Sequence, residues 1–234
     1  MPPIFYKSFW DVVGTKITQE VLGFLNGPMP DGWNETNIVL IPKVNKPKRI
    51  KDLRPISLCN VVYKIISKVL ANRLKKVLPE IISLSQSGFM PGQLISDNIL
   101  VAYELTHYMK NKHVGKPGCT ALKLDMSKAY DWVEWEFLRR MMKKMVFCKQ
   151  WVDLIMKCVC TVSYRIRVNG DLSNDFKPER GLRQGDPLSP YLFLICAEGF
   201  SVLQKRAEED EKIQGIKVCQ GALSVSYLLF ADDS

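Results

Sequence analysis

A chain of 234 residues with 47% apolar and 24% charged side chains carries enough hydrophobic material for one large core or two modest ones, which excludes disorder over most of its length. No run reaches the roughly 18 apolar residues of a membrane span; the longest are Tyr191 to Ala197 and Tyr227 to Ala231, and Met1 to Trp10 lacks the hydrophobic stretch of a signal peptide. The net charge of +9 is concentrated: between Lys43 and Lys76 eleven basic residues stand against one acid, Asp52, while the remainder is close to neutral. Such a block suits a polyanion, nucleic acid or nucleotide phosphate, and it is equally the composition of a solvated basic face.

The amphipathic spacing of Phe9, Val12, Val13, Ile17, Val21, Leu22 and Leu25 predicts a first helix, stopped by Asn26-Gly27-Pro28. Thr36 to Pro42 is β-branched and apolar and predicts a strand leading into the basic loop Lys43 to Lys51, where Pro47 prevents regular structure. From Asn60 to Leu78 an apolar helical face is opposed by Lys64, Lys68 and Lys75, with Arg73 on the apolar side, either paired inside or snorkelling out. Pro79 ends that helix or starts the next.

After a Ser- and Gly-rich loop, Ile95 to Met109 reads as a further helix, and Lys116-Pro117-Gly118 marks a subdomain boundary. Thr120 to Asp125 is then expected as a strand, Trp135 to Met145 as a helix, and Tyr164 to Val168 running into Asn169-Gly170 as a hairpin. A Gly- and Pro-rich loop, Arg180 to Pro190, precedes a buried helix from Tyr191 to about Lys205 whose acidic end, Glu208 to Glu211, is solvated. Ser224 to Phe230 is expected as an apolar strand delivering Asp232 and Asp233 at its tip.

Seven cysteines, Cys59, Cys119, Cys148, Cys158, Cys160, Cys196 and Cys219, form an odd and scattered set beside apolar or β-branched neighbours. This is the habit of free thiols in a reducing compartment, nuclear or cytoplasmic rather than secreted. Cys158-Val-Cys160 is one residue short of C-x-x-C and lies far in sequence from His107 and His113, so no zinc site is expected.

Two apolar segments therefore end in carboxylates, Asp125 in one and Asp232 with Asp233 in the other. Each alone is as compatible with a turn as with a metal site. Brought together, three carboxylates repel unless divalent cations sit between them, and Mg²⁺ favours a few carboxylate oxygens completed by water and phosphate. Two such ions would serve in-line attack of a hydroxyl on a nucleoside triphosphate. Hydrolase signatures are absent: there is no G-x-S-x-G, H-E-x-x-H or Walker loop.

Leu124-Asp125-Met126-Ser127-Lys128-Ala129-Tyr130-Asp131, Arg180-Gly181-Leu182-Arg183-Gln184-Gly185-Asp186-Pro187-Leu188-Ser189-Pro190 and Phe230-Ala231-Asp232-Asp233 resemble the A, B and C motifs of reverse transcriptases. The wording is closest to that of plant non-LTR retrotransposons of the LINE class. Ile41-Pro42-Lys43, Leu53-Arg54-Pro55-Ile56-Ser57 and Gln86-Ser87-Gly88-Phe89 resemble the fingers motifs of the same class, so the similarity covers nearly the whole chain.

The resemblance implies an α+β right-hand polymerase fold: a helical extension over 1–37, fingers over 38–118, and an incomplete palm over 119–234 with a fingers-side insertion around 150–178. The palm would be an antiparallel ferredoxin-like sheet with helices on one face, truncated just after the Asp-Asp motif and without a thumb. It implies RNA-templated addition of dNTPs to a DNA primer 3′-hydroxyl, with two Mg²⁺ ions, or Mn²⁺ in their place, held by Asp125, Asp232 and Asp233. Lys43 and Arg54 would clamp the triphosphate, and Tyr130 would exclude a 2′-hydroxyl, although a Tyr there could also simply cap the next helix. Gln184 and Gly185 would lie by the nascent base pair, while Lys64, Lys68, Lys75 and Arg183 would meet nucleic acid. Trp132 departs from the basic residue common at its position. The other reading consistent with the residues is a catalytically inactive remnant that only binds nucleic acid.

Overall fold

The computed structural model describes residues 2–90, 92–112, 118–126, 128–219, 221 and 224–229. It clusters into two units, each made of two separate stretches: Met1–Leu74 with Tyr130–Leu192, and Lys75–Ala129 with Phe193–Ser234.

In the first unit, α1 (Pro3–Ser8) leads into α2 (Trp10–Asn26), which buries Ile17 and Val21 of the expected apolar set together with Phe24, while Phe9, Val12 and Leu22 of that set are exposed. Strand β1 (Glu35–Pro42) pairs antiparallel with β2 (Leu53–Cys59), with Ile41 opposite Arg54 and Ile38 opposite Ser57. Between them the Asp52 carboxylate accepts from the amides of Lys48 and Arg49, both at 3.0 Å. The single acid of the basic block thus ties down the turn that carries the lysines. Helix α3 (Val61–Leu74) buries Tyr63, Ile66, Leu70 and Leu74 and packs against α2. It ends four residues short of the expected Leu78, and Arg73 is exposed, the snorkelling alternative.

The return stretch of this unit contributes α6 (Trp135–Lys144) and α7 (Lys149–Cys160), which pack on each other and bury Leu138, Met142, Val152, Ile155 and Val159. Strand β3 (Ser163–Val168) and β4 (Asp171–Leu172) form the hairpin that Asn169-Gly170 announces, with φ of 51° and 98° at the two turn residues. Positive φ at both positions is the condition for a two-residue turn whose twist matches its strands. Because β3 joins β1 in parallel, the sheet is mixed, in the order β2-β1-β3-β4.

That sheet corrects an expectation: it is not an antiparallel palm sheet over 119–234 but joins the segment 35–59 to the segment 163–172. Its two inner strands are β1, with the apolar run Ile38 to Ile41, and β3, each hydrogen-bonded to a neighbour on both sides.

In the second unit, α4 (Leu78–Ile81) carries Pro79 in its first turn, where the missing N–H costs nothing, and α5 (Ile95–Asn111) follows as expected. Helix α8 (Ser189–Glu209) crosses the division between the units and within the second buries Phe193, Leu194, Ile195, Ala197 and Ser201. Its later turns are open, with Val202 and Leu203 exposed, so it is buried over only part of its length. The strands expected at 120–125 and 224–230 are absent as continuous elements among the described residues: Asp125 stands in a single bridge, as do Val225 and Leu229. An apolar run becomes a strand only where a neighbour's ladder accepts it. Among the described residues no helix is long and apolar enough to cross a membrane.

Candidate functional site

Most of the residues expected to handle the nucleotide fall in the first unit, around β2. Arg54 opposes Ile41, and these two share the sheet face on which Leu58 is exposed; Lys43 stands one residue beyond β1, its amide donating to Asp52 O at 2.8 Å. The opposite face holds Thr36, Ser57 and Cys59, all buried. Lys43 and Arg54 are both exposed, as groups awaiting an anion must be.

The loop Gly181 to Leu188 docks against the outer edge of β2. Ser57 N donates to Gln184 O at 2.9 Å, and Gly185 lies so close that a Cβ there would stand 3.3 Å from Ser57 O. With φ of 102°, Gly185 also occupies a backbone region that side chains resist. Three residues along β2 separate Ser57 from Arg54, about 10 Å at strand rise. Tyr130 joins the same loop: its carbonyl accepts from Leu182 N at 2.8 Å, and Val133 O accepts from Gly181 N at 2.8 Å. Lys43, Arg54, Tyr130, Gln184 and Gly185 are therefore linked through one strand and one loop.

Arg183 requires a correction. Expected to meet nucleic acid, it is only 5% exposed and pairs with Asp186, 4% exposed, at 3.1 Å. Its guanidinium donates to Asn34 Oδ1, to Tyr63 OH and, at 2.9 Å, to Cys158 O, and it lies 3.9 Å from the centre of the Tyr63 ring. Cys158 O is one of the carbonyls left unpaired at the C-terminus of α7, where a cation is favoured by both hydrogen bonding and the helix dipole. Asp186 accepts from Ser67 Oγ, from Tyr63 OH at 2.9 Å and from Leu188 N at 3.0 Å. The adjoining cavity, about 10 Å³, holds no more than one water. A cation so enclosed cannot reach a phosphate backbone. Burial by itself lowers the pKa of Arg183, but Tyr63 and Asp186 outweigh it and hold the group more firmly protonated than usual. Burial likewise pushes the Tyr63 phenol far up and the Cys158 thiol up to about 12.

Asn34, Tyr63 and Ser67 are residues the sequence did not single out, and Ser57 and Asp186 stand in motifs that gave them no role. Ser67 carried the available signal: a hydroxyl on the apolar face of α3, beside Ile66 and Leu70, needs a partner when fully buried. Lys64 is half-buried and Lys68 exposed on α3. Trp132, 56% exposed, carries the Arg180 guanidinium 4.2 Å from its ring centre, and Arg180 also pairs with Glu134 at 3.1 Å.

In the second unit Asp125 is exposed, with no ion pair to a described cation, and Lys75 is half-buried. Asp232 and Asp233 lie outside the described residues, and no group of three metal-binding side chains occurs among those described. Leu229, three residues ahead of Asp232, is held firmly: its amide donates to Ser85 O at 2.9 Å, and its carbonyl accepts from Ser87 N at 3.1 Å and Asn98 Nδ2 at 2.9 Å. The loop carrying Ser85 is anchored in turn by Glu198, a buried carboxylate of α8 that accepts from both the amide and the hydroxyl of Ser83.

Comparison with known proteins supplies the context. The chain is 29% identical over 230 residues to the Transposon TX1 uncharacterized 149 kDa protein of Xenopus laevis, covering 98% of this chain and 17% of that one. It is 30% identical over 172 residues to a retrovirus-related Pol polyprotein from a type-2 retrotransposable element of Drosophila melanogaster, covering 74% of this chain and 16% of that protein. An uncharacterized mitochondrial protein of Arabidopsis thaliana is 46% identical over 76 residues, covering 32% of this chain and 62% of the relative. The fold is similar to the apo telomerase of Candida tropicalis, with a TM-score of 0.53 at 16% identity over 97% of this chain and 48% of that one. The telomerase of Candida albicans in complex with a fragment of telomeric RNA gives a TM-score of 0.54 at 14% identity, over 100% and 42% of the two chains. Residues 41–234 match the family described as reverse transcriptase (RNA-dependent DNA polymerase), and with Lys43, Arg54, Tyr130, Gln184 and Gly185 all inside that span, the chain belongs to this family.

Proposed function

We propose that this chain is the polymerising domain of a retrotransposon-encoded reverse transcriptase, adding dNTPs to a DNA primer 3′-hydroxyl on an RNA template. The observation that supports it most is the family match over 41–234 combined with the linkage of Lys43, Arg54, Tyr130, Gln184 and Gly185 through β2 and its docked loop. Arg54 offers a planar fork suited to two phosphate oxygens, and Lys43 a point charge beside it. Tyr130 would set the limit on the sugar, and Gln184 with Gly185 would lie by the nascent base pair, where a glycine lets the backbone approach the template closely.

The exposed carboxylate of Asp125 fits a metal ligand, and Asp125, Asp232 and Asp233 together would hold two Mg²⁺ or Mn²⁺ ions. Those ions supply activation of the primer hydroxyl and neutralisation of the leaving pyrophosphate. Lys64, Lys68 and Lys75 would meet the template backbone. The fingers, palm and insertion boundaries, and origin from a plant LINE-class element, belong to the same reading; the Arabidopsis relative supports the latter.

Primer extension on an RNA template with Mg²⁺ tests the proposal. The wild-type chain should extend, Asp125→Ala and Asp232→Ala should not, and Tyr130→Ala should admit ribonucleotides. Extension that survives Asp125→Ala overturns the mechanism, and salt-dependent RNA binding without turnover would leave a binding module in its place.

A further inference from the structure

The loop that docks on β2 alternates in a telling way. Arg183 and Asp186 are buried and paired with each other, while Gln184 and Gly185 between them are exposed. Each buried member is tied to a different part of the unit. Arg183 reaches Asn34 ahead of β1, Thr36 in β1 at 3.4 Å, Tyr63 on α3 and the end of α7; Asp186 reaches Tyr63 and Ser67 on α3. Leu188 N donates to both Asp186 Oδ1 and Ser67 Oγ, at 3.0 and 3.1 Å, so the loop is closed on its far side as well.

A two-residue step between fixed ends has few conformations left, and the remaining freedom is taken by Ser57 N, which holds the Gln184 carbonyl. The carbonyl cannot leave Ser57 without moving one of the buried ends. Ser57 belongs to the strand that bears Arg54, so any shift of the loop is passed to β2 or resisted by it.

We infer that Arg183 and Asp186, with Ser67, are positioning residues that clamp the exposed Gln184-Gly185 step onto β2 and so fix it in register with Arg54. Resting on the polymerase reading, the clamp sets the distance between the group beside the nascent base pair and the group on the triphosphate. It therefore acts on nucleotide capture and base selection rather than on the chemical step. None of the three touches substrate.

The test uses the whole chain with Asp186→Asn, which keeps the size of the side chain but removes its charge, and Ser67→Ala, a milder variant that loosens the same carboxylate without unpairing Arg183. Amide hydrogen exchange is followed at Ser57 and Leu188, with Leu138 and Met142 of α6 as internal references. In folded variants Ser57 and Leu188 should exchange at least tenfold faster while the α6 amides keep their rates. In primer extension the KM for dNTP should rise severalfold with kcat within about twofold, and mismatch incorporation should increase. If Ser67→Ala leaves Ser57 exchange unchanged, or if all amides accelerate together, the clamp is refuted as a local device. If exchange responds and KM does not, its role in nucleotide capture is refuted. Should the wild-type chain fail to extend a primer, the polymerase reading fails, and the exchange arm still decides whether the buried pair holds the loop.

Discussion

Replacing Asp186 by alanine isolates the energetic core of the first unit. Arg183 would keep Asn34, Tyr63 and Cys158 O as neutral partners but lose the Asp186 carboxylate, 3.1 Å away, in a site where both side chains are almost wholly enclosed. Breaking a buried pair from one side costs about 3–5 kcal/mol, because the surviving charge has no water to replace its partner. A guanidinium cannot shed its proton to escape, whereas a carboxyl group left alone can take one up. Asp186→Ala should therefore destabilise more than Arg183→Met, and the double variant should cost less than the two single losses together by at least about 1 kcal/mol. Urea denaturation followed by circular dichroism and tryptophan fluorescence gives the three free energies, and a loss of about 4 kcal/mol should lower the melting temperature by roughly 8–16 °C for a chain of this size. A cost under about 1 kcal/mol for Asp186→Ala, or single effects that add within about 0.5 kcal/mol, would mean that the pair is solvated and the reasoning wrong.

Gly185→Ala should cost roughly 1–3 kcal/mol through backbone strain, with its Cβ pressed to 3.3 Å from Ser57 O; a thermal melt unchanged by the substitution would refute this. Lys64→Gln with Lys68→Gln should flatten the salt dependence of RNA affinity by roughly 1.5 in log–log slope, measured by anisotropy with single-stranded RNA, and an unchanged slope would remove α3 from the interface. Stability should fall in alkali: burial pushes Cys158, Cys196 and Tyr164 up to about 12 from ordinary values of 9.0 for the thiols and 10.0 for the phenol. The folded chain holds these protons more tightly than the unfolded one, so their contribution is complete below about pH 9 and is lost as pH rises through 12. Urea midpoints at about pH 7 and pH 10.5 read this directly, and Cys196→Ala should reduce the drop.

Much of the molecule was legible along the chain because local signals and tertiary contacts agreed. The helix of Val21 and Phe24, the strand through Ile38 to Ile41 and the Asn169-Gly170 hairpin are each dictated by periodicity or by a turn that only certain residues can make. Helix α7 is the element the sequence reading leaves out, although its buried Val152, Ile155, Met156 and Val159 keep a helical spacing. The runs before Asp125 and Asp232 were read as strands from apolar character alone, yet a strand also requires a partner's backbone.

The residues proposed for the nucleotide site, Lys43, Arg54, Tyr130, Gln184 and Gly185, come from the sequence alone, through motifs that resemble those of the family in their order. Which cation faces solvent was not. Arg183 stands beside Gln184 in the same motif and reads as one more basic residue, but whether it meets a phosphate or Asp186 depends on α3 and α7 closing over it. Only the packed structure brings Asn34, Tyr63 and Cys158 to one guanidinium across as many as 149 residues of chain, because burial, which turns a surface charge into an internal anchor, is a property of the assembled core and not of any local run.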